Sequence, residues 1–456
     1  MGLGRDQLRF LRDTFPGDGC LLEPEAAAIF GTDSSRLAEA PWAVVRVASE
    51  EQAVALLAWA HAERVPLFPR ARGTNVVGAC VPRGGGVVVS TLRMDRILDL
   101  DGNDFCAVVQ PGVVTGDLQR ELAARGLMYA PDPASVRVST IGGNVATNAG
   151  GMRAVKYGVT REHVLGVRAV LPGGDVLRCG GRNHKNVVGL DLTRLFVGSE
   201  GTLGLFTELT LKLLPLPEAT ASVLAGYAGV DGALAASRAV LAAGILPTAM
   251  EFMAEEVLDA VARVGEVPWG PGVRAALLLR LDGGREALAA DARRLDRVLG
   301  ATAPMFLEHG TGADEERLWE VRRLINPASF TIAPDKMSDD ITVPRGRVGQ
   351  ALERIRAVAG QAGLTILAFG HLGDGNIHVN VMYDAAAGQT DAARAAKRAI
   401  LGHVLALGGT MSGEHGVGLT KLPYLDEQIS PLERDLMRRI KAAFDPHGIM
   451  NPGKAY

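Results

Sequence analysis

Cysteine is scarce in this chain. Cys20, Cys80, Cys106 and Cys179 are the only four in 456 residues, and no two of them form a Cys-x-x-Cys pair. That spacing argues against a disulfide framework, a zinc–thiolate knuckle and an iron–sulfur cluster. Long apolar runs are missing too. No stretch approaches the ~20 residues of a membrane span, and even the Ala/Leu-rich region around 221–250 is broken by Asp231 and Arg238. The opening residues Met1 to Arg9 lack the apolar run of a signal peptide. There is no block of Lys or Arg, and the net charge is only -3, which argues against a nucleic-acid partner, since phosphate binding needs concentrated positive charge. These absences lead to the expectation of a cytoplasmic protein with no transmembrane segment. Peripheral attachment at the inner membrane through a partner stays open.

Two nucleotide fingerprints are also lacking. No Gly-x-Gly-x-x-Gly opens a helix within a βαβ unit, and no Gly-x4-Gly-Lys-Ser/Thr occurs, so a nicotinamide Rossmann domain and a P-loop NTPase are disfavoured.

What the chain does have is length and apolar content. With 456 residues, 47% of them hydrophobic, it is long enough for two or three domains, each burying its own core. Residues 1–37 read as a helix and an irregular arm. From Pro41 the pattern turns to short β-rich runs between Gly/Pro turns, interrupted by two helices. One is opened by Ser49-Glu50-Glu51-Gln52, a capping box, and runs to about Arg64. The other starts near Thr115 and stops at Gly126. Val164–Val170 and Val176–Cys179 flank Leu171–Asp175 as a hairpin. Pro215-Leu216-Pro217 marks a boundary. Beyond it, helical patterns at about 231–244, 284–299, 345–362, 389–407 and 431–444 alternate with strands such as Ala275–Leu281, which predicts an α+β domain with helices backing an antiparallel sheet.

Three clusters in the first half are rich in Gly, Thr, Ser and Asn: Pro69–Asn75, Thr140–Gly151 and Val197–Gly204. One such cluster is an ordinary tight turn. Three together, with Pro131–Ser135 just before the second, predict a bound dinucleotide, because a pyrophosphate needs close backbone approach and exposed N–H donors.

The second half carries His371-Leu372-Gly373-Asp374-Gly375-Asn376-Ile377-His378. With Asp374-Gly375 as a two-residue turn, His371 is expected opposite His378, Cβ atoms about 4.5–5.5 Å apart on one sheet face. Glu414 offers a carboxylate as third donor and His415 a further imidazole, so the pattern predicts a metal site built on His371, His378 and Glu414. Asn380, two residues beyond His378, lies on the same strand face. Asn376 is expected to shape the turn.

These motifs, taken in order, resemble the vanillyl-alcohol-oxidase-type FAD-linked oxidoreductases, in the branch of glycolate oxidase's flavin subunit, FAD-linked D-lactate dehydrogenase and D-2-hydroxyglutarate dehydrogenase. The resemblance runs over the Pro69–Gly78 loop, Pro131–Ser135, Thr140–Gly151, Lys156-Tyr157-Gly158, Gly198–Gly204, His371–His378, Glu414–Gly418 and Asn451–Lys454. It implies a two-part FAD-binding domain of p-cresol methylhydroxylase type (PCMH-type), a ferredoxin-like antiparallel-sheet cap domain and a C-terminal helical segment. The expected division is 1–37, 38–217, 218–420 and 421–456, with the last segment returning to the flavin. In this likeness FAD contacts fall on Arg70, Arg72, Gly73, Thr74, Asn75 and Gly78, on Pro131, Asp132 and Ser135, and on Thr140, Gly142, Gly143, Asn144, Asn148, Gly150 and Gly151. Gly201 and Asn451 complete the set. No histidine lies between Pro69 and Gly78, where some relatives attach FAD covalently, so dissociable FAD is implied.

By the same resemblance a divalent cation, zinc first with iron or manganese as alternatives, sits on His371, His378 and Glu414. His415 is the general base, with a fourth metal position as its alternative. Trp319-Glu320-Val321-Arg322 matches a Trp-x-x-Arg segment and points to Arg322 as the clamp for a substrate carboxylate. Lys336 is a second candidate cation, with a surface position as its alternative, and Asn380 a candidate hydrogen-bond donor to substrate. The expected reaction is oxidation of a small D-2-hydroxy acid, D-lactate first, to the 2-keto acid. Glycolate, D-2-hydroxyglutarate, or service as the flavin subunit of a larger complex are the alternatives. Electrons leave to an acceptor or a partner redox protein. Where related hydroxyglutarate enzymes often carry threonine, this chain has Asn326, which leaves the side-chain specificity open.

Overall fold

The computed structural model describes residues 2–456. The chain forms two compact units. The first comprises Met1–Gly151, Gly158–Leu216 and Glu414–Tyr456, and the second Met152–Tyr157 and Pro217–Gly413.

The first unit holds two main sheets and a short two-stranded one, Leu127–Met128 paired with Leu214–Pro215. Strands β1 (Cys20–Leu21), β2 (Ala43–Arg46), β3 (Leu67–Arg70) and β4 (Val87–Ser90) lie in the order β1-β2-β4-β3, and β4 is parallel to both β2 and β3. Their near-continuous Val, Leu and Phe content suits strands buried on both faces. Helix α1 (Glu50–Glu63) follows β2. Ser49 Oγ accepts from Gln52 N at 3.3 Å, the Gln52 side chain reaches back to Ala48 N at 2.9 Å, and Arg64 closes the helix in the left-handed region at φ 54°. Leu56 and Leu57 of α1 are fully buried with Leu67 and Val87, each such side chain contributing roughly 1.5–3 kcal/mol.

The second sheet of this unit comprises β5 (Ile97–Asp101), β6 (Cys106–Val109), β7 (Val164–Val170), β8 (Val176–Gly180) and β9 (Leu205–Lys212), ordered β5-β6-β9-β7-β8 and antiparallel throughout. The expected hairpin is β7–β8. A short helix, α2 (Ile141–Thr147), packs Ile141 and Val145 into the core of this sheet beside Tyr129 and Phe196. Near the C-terminus, Leu67 N donates to Ile449 O at 2.8 Å and Asn451 N to Leu67 O at 2.7 Å. The segment 449–451 thus runs along β3.

The second unit is built on seven antiparallel strands: β10 (Ala219–Tyr227), β11 (Ala249–Ala254), β12 (Ala275–Gly283), β13 (Phe306–Gly310), β14 (Asp335–Thr342), β15 (Ile366–His371) and β16 (Asn376–Tyr383). Their order is β13-β10-β12-β11-β15-β16-β14. Helices at Val230–Ala242, Arg285–Gly300, Val348–Ala362 and Thr390–Ala406 fall where the sequence pattern placed them. Two others, Glu255–Ala262 and α3 (Ala313–Ser329), were not anticipated. In α3 a proline in the last turn, Pro327, obscures the signal. Helix α3 buries Leu318, Trp319, Val321 and Ile325 against Leu278 and Leu367 of the sheet, turning Arg322 off its apolar side. No helix among the described residues is long and apolar enough to cross a membrane.

Candidate active site

In the first unit the three glycine clusters converge on one cavity with an empty volume of about 1300 Å³, including space open to solvent. Its lining combines the loop after β3, helix α2 and residues of β9. Glycine is required by contact. A Cβ on Gly142 would lie 2.5 Å from Pro111 Cβ, and one on Gly143 3.0 Å from Ala71 Cβ. Gly201 has φ 71°, and its Cβ would meet Pro69 Cγ at 3.1 Å. Two buried hydroxyls on the cavity wall, Ser139 Oγ and Thr140 Oγ1, have no hydrogen-bond partner. Buried polar groups are rarely left so, and a ligand rich in acceptors is what would satisfy them. The donors and the glycines fit FAD.

Of the flavin contacts expected from sequence, Arg70, Gly73, Thr74, Asn75, Ser135, Thr140, Gly142, Gly143, Asn144, Gly150 and Gly201 line this cavity. Arg70 nevertheless spends its guanidinium inward, on Thr32 O and on Cys80 Sγ at 3.1 Å. Arg72 is exposed and outside the lining. Gly78, Pro131, Asp132, Asn148, Gly151 and Asn451 are not among its lining residues. Asn148, at φ 50°, closes α2 and accepts from Arg161 N at 2.9 Å. Asn451 Nδ2 donates to Ala79 O at 2.9 Å and to Glu200 O at 2.6 Å. Lys454 is buried beside it, with Nζ donating to Val81 O at 2.6 Å and Asn451 Oδ1 at 2.9 Å. Burial pulls the Lys454 ammonium down to about 8, against the opposing pull of nearby Cys80 and Glu200.

Glu414 and His415 also line this cavity. A Cβ on Gly150 would meet Glu414 Oε2 at 2.9 Å. The His415 carbonyl accepts from Asn75 Nδ2 at 3.1 Å, and buried Glu200 accepts from Val417 N at 2.7 Å and Gly418 N at 2.9 Å. Two flavin-pocket loops therefore grip the peptide that carries the expected base. Burial raises the Glu200 carboxyl, and those two N–H donors oppose the rise. Glu200 escaped sequence reading except as part of a glycine cluster.

The second unit holds the histidine pair. The expected register fails by two residues: His378 pairs with Phe369, and His371 pairs with Glu251 of β11. The turn is the four residues Leu372–Gly375, and Gly370, at φ 147°, lets β15 leave β16 before it. A slip of two preserves the sheet face, so the imidazoles still meet, rings 5.0 Å apart and Nε2 atoms 3.3 Å apart. On its other side His371 Nδ1 stands 2.6 Å from Glu251 Oε1, while Arg322 Nε donates to Glu251 Oε2 at 2.7 Å. Glu251 is wholly buried. Burial alone would raise its carboxyl, but His371 and Arg322 outweigh that and hold it at about 2. Among the described residues the terminal nitrogens of Arg322 make no hydrogen bond, and its guanidinium lies 4.8 Å over the Phe369 ring. Sequence reasoning missed Glu251. Its only signal was one acid inside the buried strand Ala249–Ala254.

Asn380 is buried on the His378 face, opposite Ser338 and Leu367. Lys336 reaches Asn326 Oδ1 and lies 4.9 Å from the Phe330 ring centre, so the residue that departs from the related pattern holds the second candidate cation. Asn376 N donates to Asp374 Oδ1 at 3.1 Å, within the turn. Asp340, in register opposite His378, accepts from Gly413 N at 2.7 Å.

A glycine-lined cavity in the first unit, joined in the chain to a large antiparallel sheet, is the architecture of a flavoprotein of PCMH type. The fold matches substrate-bound p-cresol methylhydroxylase with a TM-score of 0.82 at 17% identity, over 100% of this chain and 98% of that one. Residues 216–455 match the FAD linked oxidases, C-terminal domain, and residues 41–180 the FAD binding domain; the chain belongs to the FAD-linked oxidases. It is 38% identical to "Glycolate oxidase subunit GlcD" of Bacillus subtilis, over 91% of this chain and 89% of the relative. It is 35% identical to "D-lactate dehydrogenase" of Anaerostipes hadrus, again over 91% and 89%. Identity to "D-2-hydroxyglutarate dehydrogenase" of Stutzerimonas stutzeri is 35%, over 99% and 98%.

Proposed function

We propose that this FAD-linked oxidoreductase oxidises a small D-2-hydroxy acid, D-lactate first, to the 2-keto acid, with a divalent cation held by His371, His378 and Glu414. The observation that carries the reading is the 3.3 Å between the two imidazole Nε2 atoms. Two nitrogens bound to one tetrahedral zinc ion at 2.0–2.1 Å stand about 3.3 Å apart. The sequence offers Glu414 as the third donor, a carboxylate that would complete a His/His/Glu set. Gly413 is pinned to Asp340, the register neighbour of His378, and Glu414 and His415 are the next two residues of the chain. Relatives named for D-lactate, glycolate and D-2-hydroxyglutarate support the substrate class.

When bound, FAD supplies the acceptor for the hydride leaving C2, and the cation lowers the pKa of the substrate hydroxyl. Arg322 offers its terminal nitrogens to the substrate carboxylate, a bidentate task suited to a planar guanidinium. His415 takes the hydroxyl proton as the C2–H bond breaks, because an imidazole titrates near neutrality. Asn380 and Lys336 orient the remainder of the substrate. The FAD-binding contacts fall in 38–217 with Asn451 returning to them, and substrate handling in 218–420. Electrons then pass to a partner redox protein in the cytoplasm or at the inner membrane; one relative's name as a subunit supports such a partner.

The test is anaerobic flavin bleaching with D- and L-lactate, glycolate and D-2-hydroxyglutarate, with and without a chelator. D-lactate should bleach the band, and chelation should abolish bleaching while FAD stays bound. No bleaching with any of these acids would end the proposal; faster bleaching by glycolate or D-2-hydroxyglutarate would reassign the substrate.

A further inference from the structure

The buried Glu251 has no part in the scheme above, yet it touches two of its groups. We infer that Glu251 is a positioning residue that builds the metal and carboxylate subsites as one piece; this rests on the functional reading just given. Its two oxygens are divided. Oε1 is 2.6 Å from His371 Nδ1, and Oε2 accepts from Arg322 Nε at 2.7 Å. The carboxylate accepts the Nδ1–H proton of His371, which fixes the tautomer with Nε2 as the bare donor, and Nε2 is the atom facing His378. The same carboxylate takes the Nε–H of Arg322 and so fixes the plane of the guanidinium, directing the two terminal nitrogens away from Glu251 and toward an anionic ligand.

The surroundings leave Glu251 no alternative partner of this kind. It is fully buried in the middle strand of the sheet, directly opposite His371 in register on one side and Leu278 on the other. An unpaired carboxylate there would be strongly disfavoured. Its presence in an otherwise apolar strand is accounted for by the two cationic or proton-donating groups it joins. Ligand and clamp come from residues 49 positions apart in sequence, on β15 and α3, and Glu251 sets their mutual orientation.

The experiment compares Glu251→Gln, Arg322→Gln and His371→Asn in the FAD-loaded full chain. Zinc release to an excess of chelator is followed optically, and KM is measured at saturating zinc for the hydroxy acid that bleaches the flavin. Glu251→Gln should speed zinc release about 10–100-fold and also raise KM, with FAD content unchanged. Arg322→Gln should raise KM alone, and His371→Asn should lose zinc outright. If Glu251→Gln changes only one of the two quantities, or neither, the inference is overturned. A wild-type protein that retains no zinc, iron or manganese would instead overturn the functional reading. Should Glu251→Gln fail to fold, the double variant Glu251→Gln/Arg322→Gln strands no charge. Faster zinc release from it than from Arg322→Gln supports the inference, and equal release overturns it.

Discussion

The flavin cavity of the first unit and the histidine cluster of the second are built in opposite ways. The cavity is built of backbone: glycines that admit close approach, loops gripping loops, and hydroxyls left without partners. The cluster is built of charged side chains that satisfy one another, with Glu251 between an imidazole and a guanidinium. A cradle recognises a large ligand by shape and many weak donors; a cluster recognises a small, charged one by a few strong contacts. Loss of any one contact therefore matters little in the first and a great deal in the second.

His415 tests that division most severely, because it lines the cradle and is the proposed base. His415→Ala should keep its flavin spectrum and lose about 10²–10⁴-fold in the rate of anaerobic flavin reduction, the range for a missing general base. Full activity would remove it as the base. Next comes Arg322→Lys. Losing a bidentate charged contact worth about 1.5–3 kcal/mol should raise KM for the hydroxy acid about 10–100-fold, while Arg323→Ala, whose guanidinium is spent on exposed Glu316 and Glu320, should leave it unchanged. A smaller effect is expected in the cradle. Gly201→Ala forces a Cβ into the left-handed region, costing about 1–2 kcal/mol. It should weaken FAD retention, seen by flavin release on dilution, without altering zinc content.

The smallest effect is a slope. Burial lowers the Lys454 ammonium to about 8 from an ordinary 10.5, so between those values the unfolded chain holds a proton that the folded chain has released. Stability must then rise with pH across this window. The penalty is full below pH 8 and gone by 10.5. Denaturant unfolding from pH 7.5 to 10.5 should show wild type gaining on Lys454→Met; parallel curves would count against the lowered value.

The two regions also differed in legibility. Glycine runs announce a cradle, because the need for close approach is written in residue type, and Gly142, Gly143 and Gly201 were found that way. The histidine pair was visible because its members sit seven positions apart around a turn. Its register was not. Gly370 drew no reading of its own, yet at its φ of 147° the strand leaves its hairpin partner and His371 pairs with Glu251. The face survived the error because strands repeat every two residues. Glu251 was out of reach for a different reason. It is 120 residues from His371, in a strand whose other members are apolar, and nothing local links it to either partner. The same holds for Glu200, whose bonds to Val417 and Gly418 span more than two hundred residues.

One feature of the cradle bears on the order in which the protein matures. Asn451 and Lys454 bond to Ala79, a wall residue, across a sequence separation of 372 and 375 residues. On the ribosome, that wall emerges 372 residues before Asn451 can brace it. Tight flavin capture is accordingly a late event, and a nascent chain stalled anywhere short of residue 449 would hold the cofactor poorly.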